Sequence, residues 1–168
     1  MATIRILGLD PGLRRMGWGV IDVAGSKLMH VAHGVIESDS SESLGSRLFA
    51  LHRELERVIA EHRPVAIAVE QAFVHRDPSA ALKLGHARAI ALLAAAQASL
   101  EIAEYTPNHI KKSVVGVGHA GKEQVLAMVK RLLPACGVDA LDAADALAAA
   151  IAHAHLSSGR ARILAALA

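Results

Sequence analysis

Apolar residues run almost without a break from Ile4 to Leu9, and the run ends in a carboxylate, Asp10, followed at once by Pro11-Gly12. Apolarity on successive positions marks a strand covered on both faces. Pro11 cannot continue a central strand, so Asp10 falls at the C-terminal lip of the sheet, where open α/β sheets bind ligands. Met16–Ala24 and Lys27–Glu37 predict two further strands, joined at Gly25-Ser26 as an antiparallel hairpin. His30 and His33 break the pattern of the second of these and mark it as an edge. Leu44, Leu48, Leu51, Leu55 and Ile59 then recur at helical spacing, and that helix stops before Pro64. A second continuous run, Val65–Val69, also ends in a carboxylate, Glu70. Strand, helix and strand in this order predict parallel pairing, with Glu70 at the same lip as Asp10.

Beyond a loop at 71–77, Asp77-Pro78 supplies an N-cap and first helical residue. The helix that follows, to about Leu100, is apolar nearly all round. It needs burial on more than one side, one face on the sheet and another for a second copy of the chain. Gly85 in its middle costs about 1 kcal/mol against Ala, which predicts a close approach there. Ile102–Tyr105 reads as a fifth strand, and Thr106-Pro107 opens a helix that Gly116 closes. Helices are also expected over Lys122–Leu133 and from Asp142 to about His155. The expected organisation is one domain over 1–156 and a C-terminal tail over 157–168.

The length of 168 residues fits a single domain with a substantial core. A lone cysteine, Cys136, offers no disulfide framework. No stretch reaches the ~20 apolar residues of a membrane span and no secretory signal pattern is present, so the expectation is a cytoplasmic protein. A net charge of +2 says little by itself. If four carboxylates gather in one site, the remainder carries +6, a basic surface around an acidic hole that suits a polyanion handled through metal ions.

Asp142 and Asp145 lie three apart on one helix face, within its first turn. Acids are common there for stability alone, because the helix dipole favours them. The rest of this helix is Ala and Leu, however, and paired acids on a buried helix need a partner, a metal or an active site. Asp10 taken alone is equally consistent with a cap on its own turn. Together, Asp10 and Glu70 on neighbouring strand ends ~4.8 Å apart, with Asp142 and Asp145 brought over them, make an all-oxygen site. Hard oxygen ligands favour Mg²⁺ or Mn²⁺ over zinc, and two such ions ~3.5–4 Å apart are the usual arrangement for phosphoryl transfer.

Five segments, in order, carry a resemblance. They are Leu7–Gly12 with Gly17-Trp18-Gly19, Val69–Phe73, Ser79–Gly85, Val114–Gly118 and Asp142–Ala148. The chain to about His155 resembles the RuvC family of bacterial Holliday junction resolvases. That resemblance implies an α/β, ribonuclease-H-like fold with a five-stranded mixed sheet of order 3-2-1-4-5 flanked by helices. It implies a homodimer that nicks two like strands of four-way junction DNA symmetrically, with Mg²⁺, leaving 5′-phosphates. It places the catalytic and metal-binding acids on Asp10, Glu70, Asp142 and Asp145, the Asp142 position varying between Asp and His. Lys111 and Lys122 match two lysines near the scissile phosphate, and the RuvA and RuvB branch-migration proteins are the implied partners.

Phe73, three residues past Glu70, matches a family aromatic that stacks or wedges at the crossover; from its residue type alone, an ordinary core Phe is as good a reading. Arg76 and Lys83, with His86, Arg88, Arg14 and Arg15, are candidates to track phosphates or to form a solvated charged face. His153 and His155, two apart near the expected helix end, read as dipole or surface residues rather than a zinc site. The loop Gly116–Gly121 is not a phosphate-binding Walker loop, since no Gly-Lys-Ser/Thr opens the next helix. An ATP-dependent phosphotransferase of the duplicated actin type would need a longer chain. A junction-binding protein without cleavage leaves the four acids unused, and a dimeric scaffold leaves them unexplained.

Overall fold

Side chains along the first strand, β1 (Ile4–Asp10), alternate between two cores. Leu7 and Leu9 enter one apolar cluster, while Ile6 enters the other and Gly8 faces the last helix. The computed structural model describes residues 3–71, 73 and 77–167, with side chains through Ser157. Its remaining strands are β2 (Arg15–Ala24), β3 (Lys27–Glu37), β4 (Ala66–Glu70) and β5 (Glu101–Tyr105). The sheet order is β3-β2-β1-β4-β5. β1 pairs antiparallel with β2 and parallel with β4, and β4 pairs parallel with β5. The expected mixed sheet is therefore present, and Asp10 and Glu70 end adjacent parallel strands.

Helices cover both faces. α1 (Leu44–His62) and α2 (Pro78–Gln97) bury Leu51, Leu55, Ala87 and Ala91 against Leu7, Leu9, Ile67 and Val69. On the other face lie α3 (Pro107–Val115), α4 (Lys122–Leu132) and α5 (Leu141–Leu167). The caps are those read from the sequence: Asp77 accepts from the Ala80 N–H at 3.1 Å, and Thr106 from that of His109 at 3.4 Å. Gly116 closes α3 at φ +92°, where a side chain would be strained. α5 runs to Leu167, past the end expected near His155, because the intervening Ala, Leu, Arg and Ser contain no proline and a single glycine.

Two glycines let α5 sit directly on the sheet. A Cβ at Gly8 would lie 1.9 Å from the Ala146 carbonyl oxygen, and one at Gly17 would lie 1.9 Å from that of Asp142. The first turns of α5 are thus pressed against β1 and β2 at the lip. Arg5 fastens the opposite end of β1, with a two-pronged pair to Asp22 at 2.8 and 2.9 Å and a bond to the His62 carbonyl at 2.9 Å.

Two expectations change, and one strand gains a feature. Gly85 makes no close approach within the chain, since a Cβ there would meet nothing within 4 Å. His153 is buried rather than on the surface: α5 continues past it, and its Nδ1 lies 2.9 Å from the Tyr105 hydroxyl. β3 is an edge strand, as its two histidines indicated, but it is irregular. Val20 pairs with Ala32 and Ile21 with His30, leaving Val31 extra. That bulge turns His30 and His33 to one face, where their ring nitrogens are 2.9 Å apart.

Candidate active site

Asp10 and Glu70 leave the sheet on the side that α5 covers, because each is two residues beyond a position, Gly8 and Ala68, that faces that side. α3 and α4 close the cavity above them. A space of about 250 Å³ is lined by Asp10, Glu70, Pro107, Ile110, Lys111, Lys122, Val125 and Asp145. Three acids and two lysines from five elements therefore share one small volume. Lys122 reaches it as the first residue of α4, and its Nζ stands 3.3 Å from Asp145 Oδ2.

The electrostatics are those of negative charge held out of water. Burial raises the Asp10 carboxyl from its ordinary 3.8 to about 8, with repulsion from Glu70, Asp145 and Asp142 adding to it and Lys122 opposing. Burial, then repulsion from Asp145, raises Glu70 to about 7 against the pull of Lys122 and Lys111. Asp145 is also raised by burial, with Lys122 working the other way. Lys122 is raised in turn, chiefly by Asp145. Among the described residues neither Asp10 nor Glu70 has a direct salt bridge.

Asp142 is placed differently. It is one turn from Asp145 on α5, yet it does not line this cavity. Its Oδ2 accepts from Arg15 Nε at 2.7 Å, and Arg15 Nη1 donates to Glu37 Oε1 at 2.7 Å. The sequence offered Arg15 as a phosphate contact and gave no sign of this pairing. Among the described residues no three acid, histidine or cysteine side chains converge as tightly as a loaded metal site requires. The donor set nevertheless fits a hard cation. It is all oxygen, and two of its buried carboxylates lack a paired positive charge.

Of the remaining candidates, Phe73 is 58% exposed, so the core reading of it does not hold. Lys83 is exposed on α2 and is not on the cavity wall. Arg76 lies outside the described residues.

Residues 6–153 match the family model described as crossover junction endodeoxyribonuclease RuvC. The crossover junction endodeoxyribonuclease RuvC of Parvibaculum lavamentivorans is 58% identical, over 98% of this chain and 94% of its own. That of Afipia carboxidovorans is 57% identical, over 91% and 90%. Among solved structures, T. thermophilus RuvC in complex with Holliday junction substrate superposes with a TM-score of 0.87 at 33% identity, over 94% of this chain and 96% of that one. The yeast mitochondrial Holliday junction resolvase Ydc2, at 15% identity and a TM-score of 0.66, over 96% of this chain and 84% of that one, shares the fold. With nearly the whole chain matched and its sheet order reproduced, the chain belongs to the RuvC family of crossover junction endodeoxyribonucleases.

Proposed function

We propose that this chain is a structure-selective DNA endonuclease that resolves Holliday junctions, acting as a homodimer that nicks two like strands symmetrically and leaves 5′-phosphates. The observation that carries this reading is the shared cavity of Asp10, Glu70 and Asp145 with Lys111 and Lys122. In this reading Asp10, Glu70, Asp142 and Asp145 hold divalent ions, two per site, with Mg²⁺ the natural choice and Mn²⁺ a substitute. When bound, such ions polarise a phosphodiester, lower the pKa of water and stabilise the leaving 3′-oxygen.

The chain's own residues do the rest. Asp10 and Glu70, on rigid strand ends, fix the donor positions, and α5 delivers Asp145 beside them. Lys122 and Lys111 hold positive charge at the mouth, where it offsets the phosphate's negative charge once the acids are neutralised. Ile110, Val125 and Pro107 give the cavity an apolar wall beside the acids. Phe73, exposed three residues past Glu70, takes the role of a wedge among unstacked bases at the crossover, with Arg76 and Lys83 on the DNA path. RuvA and RuvB are the proposed partners in branch migration, and the cytoplasm the proposed compartment; no described helix is long and apolar enough to cross a membrane.

Support for the dimer lies on α2. Its buried face is alanine, while Leu82, Gly85, Ala89, Leu93 and Ala96 form an exposed apolar stripe at helical spacing. Leu82 is 61% and Leu93 50% exposed, and Gly85 faces open space, as a helix crossing another at short distance requires.

The direct experiment is cleavage of a labelled synthetic four-way junction against linear duplex of the same sequence, with and without Mg²⁺. Paired symmetric nicks in the junction, with metal only, are expected. Tight junction binding with no nicking in Mg²⁺ or Mn²⁺, across several junction sequences, would establish a binding protein instead.

A further inference from the structure

Asp145 and Asp142 are one helical turn apart, yet only Asp145 lines the acid cavity. Asp142 is turned to Arg15, which spans it and Glu37 with two short charge-assisted bonds, both 2.7 Å. The same guanidinium lines a second cavity of about 350 Å³ with Arg14, Glu37, Ser38, Asp39 and Ser40. Arg14 makes no ion pair among the described residues, and Asp39 is committed to the Ser41 backbone and hydroxyl at 2.8 and 2.7 Å. The Arg15 side chain is 45% exposed, within reach of an arriving phosphate. Arg15 therefore stands between two sites: the acid cluster whose outlying member, Asp142, it holds, and a pocket where two arginines meet solvent.

We infer that Arg15 is a positioning residue that holds Asp142 out of the metal site until a DNA phosphate, seated against Arg14 and Arg15, takes over the guanidinium and releases the carboxylate. This rests on the nuclease reading and deepens it, because it makes metal-site closure depend on the substrate being in place. The physical basis is competition. A guanidinium fork matches carboxylate and phosphodiester equally well, so each weakens the hold of the other. The pair is part-exposed, so the latch is weak, as a reversible device must be. A lysine ammonium has three donors but no rigid planar fork, so it would hold Glu37 and Asp142 in a less defined geometry.

The test is Mn²⁺ binding by calorimetry to the DNA-free protein. Arg15→Gln should bind Mn²⁺ roughly two- to fivefold tighter than wild type, with an unchanged melting temperature. Adding Asp142→Asn should erase that gain, which a general change in surface charge would not do. In nicking assays on junction DNA, the Mn²⁺ concentration for half-maximal rate should differ less between wild type and Arg15→Gln than the DNA-free affinities do. Weaker or unchanged Mn²⁺ binding by Arg15→Gln overturns the latch, as does a gain that survives Asp142→Asn. If wild type nicks junctions while these outcomes fail, the nuclease reading stands and the latch alone falls. If wild type neither binds Mn²⁺ nor nicks, both fall together.

Discussion

The Asp10 carboxyl ends a strand buried along most of its length, beside Glu70 on the next strand, and Lys122 works to lower its pKa. A group in that position has little to do for stability, since its charge is repelled from three sides. Asp10→Asn should therefore leave the fold intact and keep junction affinity in Ca²⁺. Nicking in Mg²⁺ should fall by well over about 100-fold, the cost already seen for losing an outer partner of a metal ligand. Junction binding that declines in step with cleavage, measured by gel shift and by product formation on one preparation, would make Asp10 structural. Phe73 gives the complementary case. At 58% exposure its truncation to Ala should move stability by no more than about 0.5 kcal/mol. The same change should slow junction cleavage far more than it weakens binding. A large drop in melting temperature would return Phe73 to the core.

At the scale of elements, the seat of α5 decides whether the acids meet. Gly8→Ala would drive a methyl into the Ala146 carbonyl, and no flexible side chain is there to give way. The helix must lift, so the variant should lose at least about 1–3 kcal/mol of stability, the range for overpacking, and its nicking activity with it. A variant that melts and cleaves like wild type would show that α5 has slack the packing does not reveal. On α2, Leu93→Glu should turn a dimer into a monomer in analytical ultracentrifugation with little change in the melting temperature of the protomer, because Leu93 is half exposed on the protomer surface.

These elements also show what could be read in advance. The strands that carry Asp10 and Glu70 were legible because a buried strand writes its end in the sequence, as an apolar run stopped by a carboxylate. Asp142 and Asp145 were legible because acids stand out on an alanine helix. The Arg15–Asp142 bond was not, since its partners are 127 residues apart and only the packing of α5 across β2 joins them. His153 was misjudged for a related reason: its partner Tyr105 lies on another element and its helix outlasts the apparent end. The bulge in β3 was not read, because the break that His30 and His33 make in the pattern fits an edge as well as an extra residue, and only the register shows that one extra residue brings both to the same face.

For the molecule as a whole, the raised carboxyls tie stability to pH in an unusual direction. In the metal-free folded chain Asp10 titrates at about 8 and Glu70 at about 7, whereas the ordinary values are 3.8 and 4.5. Between roughly pH 4 and 8 the folded state therefore holds protons that the unfolded state has released, and stability falls as pH rises through that window. The Asp10 shift alone corresponds to at most on the order of 6 kcal/mol, and less because the acids share protons as a coupled set. A drop of several degrees in melting temperature is expected in EDTA between pH 5.5 and 8.5. Divalent ions bind the ionised acids, so Mg²⁺ should recover that loss at pH 8.5 and do little at pH 5.5. Asp10→Asn removes the group with the largest shift, and should flatten the EDTA profile and reduce the gain from Mg²⁺. The measurement is a set of melting curves of wild type and Asp10→Asn at matched ionic strength, with EDTA or Mg²⁺. A wild-type melting temperature that rises steadily with pH in EDTA would mean the acids are already balanced by charge within the chain. The cavity would then have no unmet demand for a cation.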